Sequence, residues 1–327
     1  MSKNYYILKS GRLKKKQKTV YLETKKEKIA IPIKDIKSLY IFSEIGINTK
    51  LLNFLSKNKI QIHFFNYYGL YMGSFYPGEA LNSGKVLIKQ VEKYLSKENR
   101  IKIAKEIIDS SIFNLLRNLE YYNKQGKDLK KEIEEIKKEK EKIKETKDVY
   151  ELRGIEGAIR KVYYNSFDKI LREGFKFEKR TCRPPGNMLN CLISFGNSLL
   201  YSVCLTEIYR THLNPAISYL HEPSERRFSL SLDIAEIFKP IIVDKIIFNI
   251  VNNRIINENH FNKKVNFCYL NESGKRIFLK EFDERLNKTI MHRRLKRKVS
   301  YNYLIRLECY KLIDYLLKNK KYNGLKL

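Results

Sequence analysis

The hydrophobic pattern changes its period once, across the turn-rich segment Pro77–Gly84 (PGEALNSG), and this change constrains the fold more than any other feature. Before the segment, short β-rich runs alternate with turn residues. After it, apolar residues recur at the three- and four-residue spacing of amphipathic helices. A chain of 327 residues has room for about two domains. We therefore predict an α+β protein with a β-rich domain at 1–76, a linker at 77–85 and an all-helical domain at 86–327.

Six runs before the linker favour strands, because they are rich in β-branched and aromatic residues. One short helix is predicted over Asn48–Lys57, where three leucines fall on one side. Together these elements indicate a small sheet or sandwich. The six predicted strands are Tyr5–Leu8, Thr19–Glu23, Lys28–Pro32, Ser38–Phe42, Gln61–Phe65 and Leu70–Phe75.

After residue 85 the pattern predicts a long amphipathic helix over Val86–Tyr122. The next run, 127–147, holds nine Lys and seven acidic residues, which is typical of a solvated helical arm with ion pairs between neighbouring turns. Further helices are predicted at 148–172, 187–210, 228–238, 240–258, 272–288 and 298–319.

The charge of the chain indicates a polyanionic partner. There are 66 Lys and Arg against 36 Asp and Glu, a net charge of +30, and the excess is concentrated toward both chain ends. Tyrosines alternate with the basic residues near the carboxyl end, as expected for a surface that binds phosphates and stacks on bases or sugars. A genome rich in A and T would also favour Lys, but it explains the arginine cluster at 293–298 less well.

Other classes of protein fit the sequence poorly. The uncharged stretch Pro184–Thr206 is long enough to cross a bilayer, but its prolines, glycines and asparagines indicate a buried helix of a water-soluble domain instead. No apolar secretory segment follows the basic start. The five cysteines form no CxxC pair and indicate reduced thiols. We therefore expect a cytoplasmic protein that does not bind membranes.

Few residues qualify for catalysis. Asp233 and Glu236 share one face of a mostly apolar predicted helix, and His221 precedes them across a turn. Acids on a buried helix must be paired, protonated or metal-bound. Glu156 lies upstream between Gly154 and Gly157, and a helix ion pair with Arg153 at i−3 and Arg160 at i+4 is the alternative to a catalytic role. Two carboxylates and one imidazole suit Mg²⁺ or Mn²⁺, which on so basic a protein indicates phosphodiester chemistry.

With these motifs, the chain resembles the CRISPR-associated adaptation integrases, also called the Cas-one endonucleases. The resemblance extends over nearly the whole chain. The family's first metal-binding carboxylate stands in a segment like Leu152-Arg-Gly-Ile-Glu156-Gly-Ala-Ile. The family's Pro-Pro segment before a buried helix resembles Arg183-Pro-Pro-Gly-Asn-Met-Leu-Asn. Its histidine and second carboxylate resemble Tyr219-Leu-His221 and Asp233-Ile-Ala-Glu236-Ile-Phe-Lys-Pro.

The resemblance implies Glu156, His221 and Glu236 as ligands of Mg²⁺ or Mn²⁺, with Asp233 as a nearby accessory acid. It also implies a homodimer that joins a small ferredoxin-like subunit and inserts short double-stranded DNA fragments into a CRISPR repeat by transesterification. His221 completes the ion's ligands or moves a proton. Ten basic residues are candidates for DNA contact: Arg153, Arg160, Arg183, Arg226, Arg227, Arg293, Arg294, Lys296, Arg297 and Lys298.

Two alternatives use the same residues. A metal-dependent nuclease or resolvase would cut branched DNA without integrating a fragment. A non-enzymatic nucleic-acid scaffold would carry Glu156, His221 and Glu236 for structural reasons alone.

Overall fold

The computed structural model describes residues 3–78, 81, 83–182, 184–223, 228–264, 267–292, 294–318 and 320–327. The chain divides into two compact units, Met1–Ala80 and Leu81–Leu327. The first is rich in strands and the second is larger and mainly helical, which confirms the predicted α+β class.

Among its described residues, the amino-terminal unit contains two four-stranded sheets and one α-helix, α1 (Thr49–Lys57). One sheet has the order β1-β5-β7-β8 and the other β4-β3-β2-β6. Leu13, Val20, Leu39 and Ile62 fill the space between these elements and are almost fully buried. The strands are β1 (Lys3–Ile7), β2 (Gly11–Lys16), β3 (Thr19–Glu23), β4 (Lys28–Pro32), β5 (Ile36–Ile41), β6 (Ile45–Gly46), β7 (Gln61–Phe65) and β8 (Tyr71–Phe75).

The structure adds two strands to the six that were predicted. Strand β2 has the sequence GRLKKK, and its run of lysines concealed the alternation in which Leu13 alone points into the core. Its antiparallel partner β3 supplies Val20 and Leu22 on the buried side. Strand β6 has only two residues, too few to show any period.

The second unit contains ten helices and two short hairpins among its described residues. The hairpins, β9–β10 and β11–β12, interrupt a unit that was predicted to be entirely helical. The elements are α2 (Gly84–Leu95), α3 (Lys97–Lys124), α4 (Lys130–Glu141), α5 (Val149–Asn165), α6 (Phe167–Ile170), α7 (Met188–Tyr209), α8 (Ser229–Phe238), α9 (Lys245–Asn252), β9 (Phe261–Lys264), β10 (Phe267–Leu270), α10 (Glu272–Asn287), β11 (Thr289–His292), β12 (Arg297–Ser300) and α11 (Tyr301–Lys318).

Three helices differ from their prediction for local reasons. The stretch Val86–Tyr122 breaks at Ser96, whose side chain caps α3 by accepting a hydrogen bond from the Asn99 N–H. Helix α4 is not a solvated arm, because Ile133 and Ile136 are buried where it packs against α3 and α5. The predicted helix 240–258 begins instead with a π-helical turn, Pro240–Asp244, and α9 ends at Asn252.

Helix α7 forms the centre of the helical unit. It is long and apolar enough to cross a membrane, but 89% of its most apolar window is buried inside the unit, as expected of a core helix. Helices α8 and α11 pack against it. Gly196 allows this close packing: a methyl group at its Cα would lie 2.5 Å from Val243 and 2.8 Å from Phe278.

We predict that Gly196→Ala destabilises the helical unit by about 1–3 kcal/mol, because the added methyl overpacks the contact with Val243 and Phe278. Thermal unfolding measures the effect. Gly154→Ala is the matched control, since a methyl group there meets nothing within 4 Å and alanine favours a helix. Equal melting temperatures for the two variants would contradict this account of α7 packing.

Candidate active site

Glu156 lies in the middle of α5, on the partly exposed side of the helix. Asp148 caps the helix start by accepting a hydrogen bond from the Glu151 N–H at 2.9 Å. The Glu156 side chain is 26% exposed, and a methyl group on Gly154 or Gly157 would meet nothing within 4 Å. The surface beside this carboxylate is therefore uncovered.

Glu236 lies on α8 and is 4% exposed, so its charge must be balanced inside the protein. Its Oε2 accepts a hydrogen bond from Arg160 Nη2 at 2.5 Å, and its Oε1 accepts one from Lys239 Nζ. Burial alone would raise the pKa of Glu236, but the charges of Lys239, Arg160 and His221 outweigh burial and lower its pKa to about 2. Glu236 is an ionised carboxylate held by two cations.

Arg160 joins the two glutamates. Its Nε donates to Glu156 Oε1 at 3.1 Å, while its Nη2 reaches Glu236. The same Nη2 donates at 3.0 Å to Ser111 Oγ, which donates in turn to the Glu236 carbonyl at 2.8 Å. The ion pair of Glu156 with Arg160, the alternative raised by their spacing, is therefore present, and it extends to Glu236.

Side-chain hydrogen bonds to the backbone carbonyls around the π-helical turn hold the Glu236 backbone in place. The turn frees several backbone carbonyls, since Pro240 has no N–H and the Asp244 N–H bonds back to Lys239. Side chains on one face of α3 replace the missing donors: Ser111 binds the Glu236 carbonyl, Asn114 the Ile237 carbonyl and Asn118 the Pro240 carbonyl. From α10, Arg285 binds the Ile241 carbonyl through two nitrogens.

His221 and Asp233 form a second, adjacent group. Asp233 is fully buried, and its two oxygens accept the backbone N–H groups of Tyr219, Leu220 and His221 as well as the His221 ring at 2.8 Å. Because the carboxylate accepts, His221 Nδ1 donates, and Nε2 is left as the basic nitrogen. The structure thus gives Asp233 an orienting position beneath His221 and not an open one beside Glu236.

The electrostatics of His221 follow from this placement. Burial alone would lower the pKa of His221, but the hydrogen bond and charge of Asp233, together with the charge of Glu236, raise it above its ordinary value.

Arg100 on α3 holds the loop that carries His221 from the other side. It donates hydrogen bonds to the Tyr219 carbonyl at 3.0 Å and to Glu222 at 2.6 Å. The loop is therefore held from both sides.

The predicted metal ligands lie in one region of the helical unit, but they do not form a complete metal site. Among the residues that the structure describes, no three His, Cys, Asp or Glu side chains form a group that could hold a metal ion. Arg160 and Lys239 occupy the Glu236 oxygens instead, and His221 influences Glu236 through its charge.

A sequence profile described as CRISPR associated protein Cas1 matches residues 5–284. The chain belongs to the Cas1 family. It is 48% identical over 325 residues to a CRISPR-associated endonuclease Cas1 from Fusobacterium nucleatum, covering 99% of this chain and 96% of that one. It is 50% identical over 323 residues to a second such endonuclease, from Thermodesulfovibrio yellowstonii, covering 98% of each.

Solved structures agree with this membership. A CAS1 protein from Thermotoga maritima superposes with a TM-score of 0.87 at 42% identity, covering 99% of this chain and 100% of that one. A casposase bound to an integration product shares the fold, with a TM-score of 0.88 at 21% identity over 98% of this chain and 92% of its own. The resemblance to the family inferred from the motifs is confirmed.

The predicted DNA-contacting residues of this Cas1 protein occupy different environments. Arg160 is 9% exposed and binds the two glutamates, so it would have to leave them to reach DNA, and its assignment to DNA stays a prediction. Arg153 is exposed on α5. Arg294, Lys296, Arg297 and Lys298 are exposed around the turn of the β11–β12 hairpin. Four of the residues lie outside the described part of the chain: Arg183, Arg226, Arg227 and Arg293.

Several residues of the site were missed. Lys239 stands at the end of the segment Asp233–Pro240 that carries Glu236, and no role was predicted for it. Ser111, Asn114 and Asn118 recur at spacings of three and four residues on α3. Polar residues repeated on the apolar side of a predicted helix were the available signal for a buried polar contact.

We predict that Glu236→Gln costs the metal-free protein about 3–5 kcal/mol of unfolding free energy, because it leaves Arg160 and Lys239 buried without a full counter-charge. The more exposed Glu156→Gln serves as the control and costs less. The folded-state pKa of Glu236, about 2, lies below its usual 4.5, so its stabilisation is present above pH 4.5 and lost toward pH 2. Denaturant unfolding with chelator present measures both variants, and equal losses would contradict the buried ion pairs.

We also predict that Asp233→Asn lowers the pKa of His221, because the substitution removes the charge that raises it and leaves burial unopposed. An NMR titration of the His221 ring measures the change. Glu222→Gln is the control, since Glu222 pairs with Arg100 and leaves the contact between Asp233 and His221 intact. A wild-type titration curve in Asp233→Asn would be inconsistent with this geometry.

Proposed function

We propose that this protein is a metal-dependent DNA integrase that inserts short foreign DNA fragments as new spacers into a CRISPR array. One observation carries the proposal. In a Cas1 chain, the Glu156 and Glu236 carboxylates, on two different helices, bind the same arginine, and Glu236 feels the charge of His221, whose Nδ1 is held by Asp233. This combination of donors suits an ion that activates phosphodiesters.

The proposed cofactor is Mg²⁺ or Mn²⁺, held by Glu156, Glu236 and His221. The chemistry of the donors supports this assignment, because carboxylates suit both ions and Asp233 leaves His221 Nε2 free to coordinate. When bound, the ion would stabilise negative charge on the phosphate and on the attacking or leaving oxygen. In the arrangement described above, binding requires at least one cation to leave the carboxylates.

The chain's own residues define the remaining roles. Asp233 and Arg100 fix the loop that carries His221, so the imidazole presents Nε2 without searching other orientations. Lys239 keeps Glu236 ionised. The α3 side chains that bind the carbonyls near Glu236 hold its backbone while strands are exchanged. The reaction proposed is transesterification, in which a fragment's 3′-hydroxyl attacks a phosphodiester of the repeat.

Affinity for DNA is proposed to reside in the exposed basic residues, including Arg153 on α5 and Arg294, Lys296 and Arg297 on the β11–β12 hairpin. The net charge of +30 supports this division between gripping and chemistry. Two solved structures that share the fold support the assembly by what they contain: the casposase bound to an integration product, and a Cas6-RT-Cas1–Cas2 complex, whose matched chain superposes with a TM-score of 0.86 at 18% identity. We propose a homodimer that joins a small ferredoxin-like subunit in the prokaryotic cytoplasm.

We predict that Glu156→Gln lowers strand joining at least about 100-fold in Mn²⁺, because it weakens the ion site. Binding of double-stranded DNA changes less than about twofold, because that affinity comes from distributed cations. A labelled fragment and a repeat-bearing plasmid report joining, and a filter assay reports binding. Glu134→Gln on the exposed side of α4 is the matched control.

The outcome of that assay separates the alternatives. Cut plasmid without joined product would favour a resolvase that cleaves branched DNA. Wild-type joining and cleavage by Glu156→Gln would favour a non-enzymatic scaffold. Loss of DNA binding in parallel with joining would contradict the division of labour between the acids and the basic surface.

A further inference from the structure

We propose that Arg160 is an internal counter-cation that closes the metal site of the free protein and that an entering ion displaces. The inference rests on the proposed function, because it assigns the metal ion to Glu156, Glu236 and His221. It adds a means of regulating that site: the carboxylates meet an internal cation first and exchange it for a divalent one.

The contacts of Arg160 are those of a substitute for the ion. It is the one side chain in the described structure that binds both Glu156 and Glu236, at 3.1 Å and 2.5 Å. It is 9% exposed, and its guanidinium lies between carboxylates that would otherwise repel each other across a poorly solvated space. The charge that holds the two acids together is therefore carried by the protein itself.

The hydrogen-bonding capacity of the Arg160 guanidinium is not fully used. Its Nη1 is buried and has no hydrogen-bond partner within the described part of the chain. A buried guanidinium nitrogen without a partner loses the hydrogen bonds that water would supply. This cost makes Arg160 easier to displace than a cation whose donors are all used.

The two cations of the site differ in how they are held. Lys239 is three residues from Glu236 on the same stretch of backbone, and its ammonium lies 5.3 Å from the centre of the Tyr201 ring. Arg160 instead crosses from α5 to α8, so rotation of its long side chain separates it from Glu236 without moving a helix. Arg160 is the cation that can leave, and Lys239 the one that stays.

Charge explains why the exchange limits affinity. A divalent ion placed on Glu236 while Arg160 remains at 2.5 Å would meet a positive charge within a few ångströms, in a setting that screens poorly. Removing that positive charge while keeping the side chain polar should strengthen ion binding. A merely structural Arg160 predicts the reverse, because its loss would disorder the ligands.

The test is a titration of the full-length protein, without DNA, in which electron paramagnetic resonance measures free Mn²⁺. Arg160→Gln should bind Mn²⁺ at least about tenfold more tightly than wild type, and Arg160→Lys, which keeps the charge, should bind within about threefold of wild type. The double variant that adds Glu156→Gln should lose the tightened site. Unchanged or weaker Mn²⁺ binding by Arg160→Gln would overturn the proposal.

A second variant covers the case in which Arg160→Gln does not fold. Ser111→Ala removes the hydroxyl that accepts from Arg160 Nη2, together with the hydrogen bond that this hydroxyl donates to the Glu236 carbonyl, and it changes no predicted ligand side chain. It should tighten Mn²⁺ binding by about twofold to threefold, and no change would count against the inference. Binding of Mn²⁺ that depends on Glu156 but is not tightened in either variant overturns this inference alone. If no variant shows Glu156-dependent binding, the proposed metal site fails with it.

Discussion

The buried ion pairs of Glu236 are the interaction on which the rest of this site depends. A carboxylate that is 4% exposed stays ionised because Lys239 and Arg160 bind its two oxygens and His221 adds a further positive charge nearby. The same guanidinium reaches Glu156 on α5, so one arginine links the two helices that carry the acids. The α3 polar face and the π-helical turn then hold the backbone to which this network is attached. The same ion pairs and hydrogen bonds therefore position the candidate catalytic acids and hold the helices of this unit together.

The second group, centred on Asp233, performs a different task with the same kind of side chain. The Asp233 carboxylate accepts four hydrogen bonds from the segment Tyr219–His221, whereas the partners of the Glu236 carboxylate within the described residues are the cations of Arg160 and Lys239. Two acids three residues apart on one helix thus have separate roles, set by their neighbours. Their spacing predicted a shared face but could not show which acid would be enclosed by backbone N–H groups.

Much of the fold and the region of the site could be predicted from the sequence. The change of period at residues 77–84 separates the strand-rich unit from the mainly helical one, and the motifs around Glu156, His221 and Glu236 indicated the family that the comparisons confirm. Features set by tertiary partners could not be predicted. Strand β2 has a single buried leucine, so its strand conformation depends on pairing with β3. The π-helical turn depends on hydrogen-bond donors from helices that are distant in sequence. Arg160 was expected as an ion-pair partner of Glu156 or as a DNA contact, and its bond to Glu236 could not be predicted because it depends on how α5 and α8 pack.

In the proposed metal site, an ion held by the two glutamates and His221 replaces an internal arginine. Anomalous diffraction from crystals soaked in Mn²⁺ tests this exchange most directly. We expect one strong peak between Glu156, Glu236 and His221, with the Arg160 guanidinium moved away from at least one carboxylate. A map in which Arg160 still bridges both glutamates and the manganese lies elsewhere, or nowhere, would contradict it.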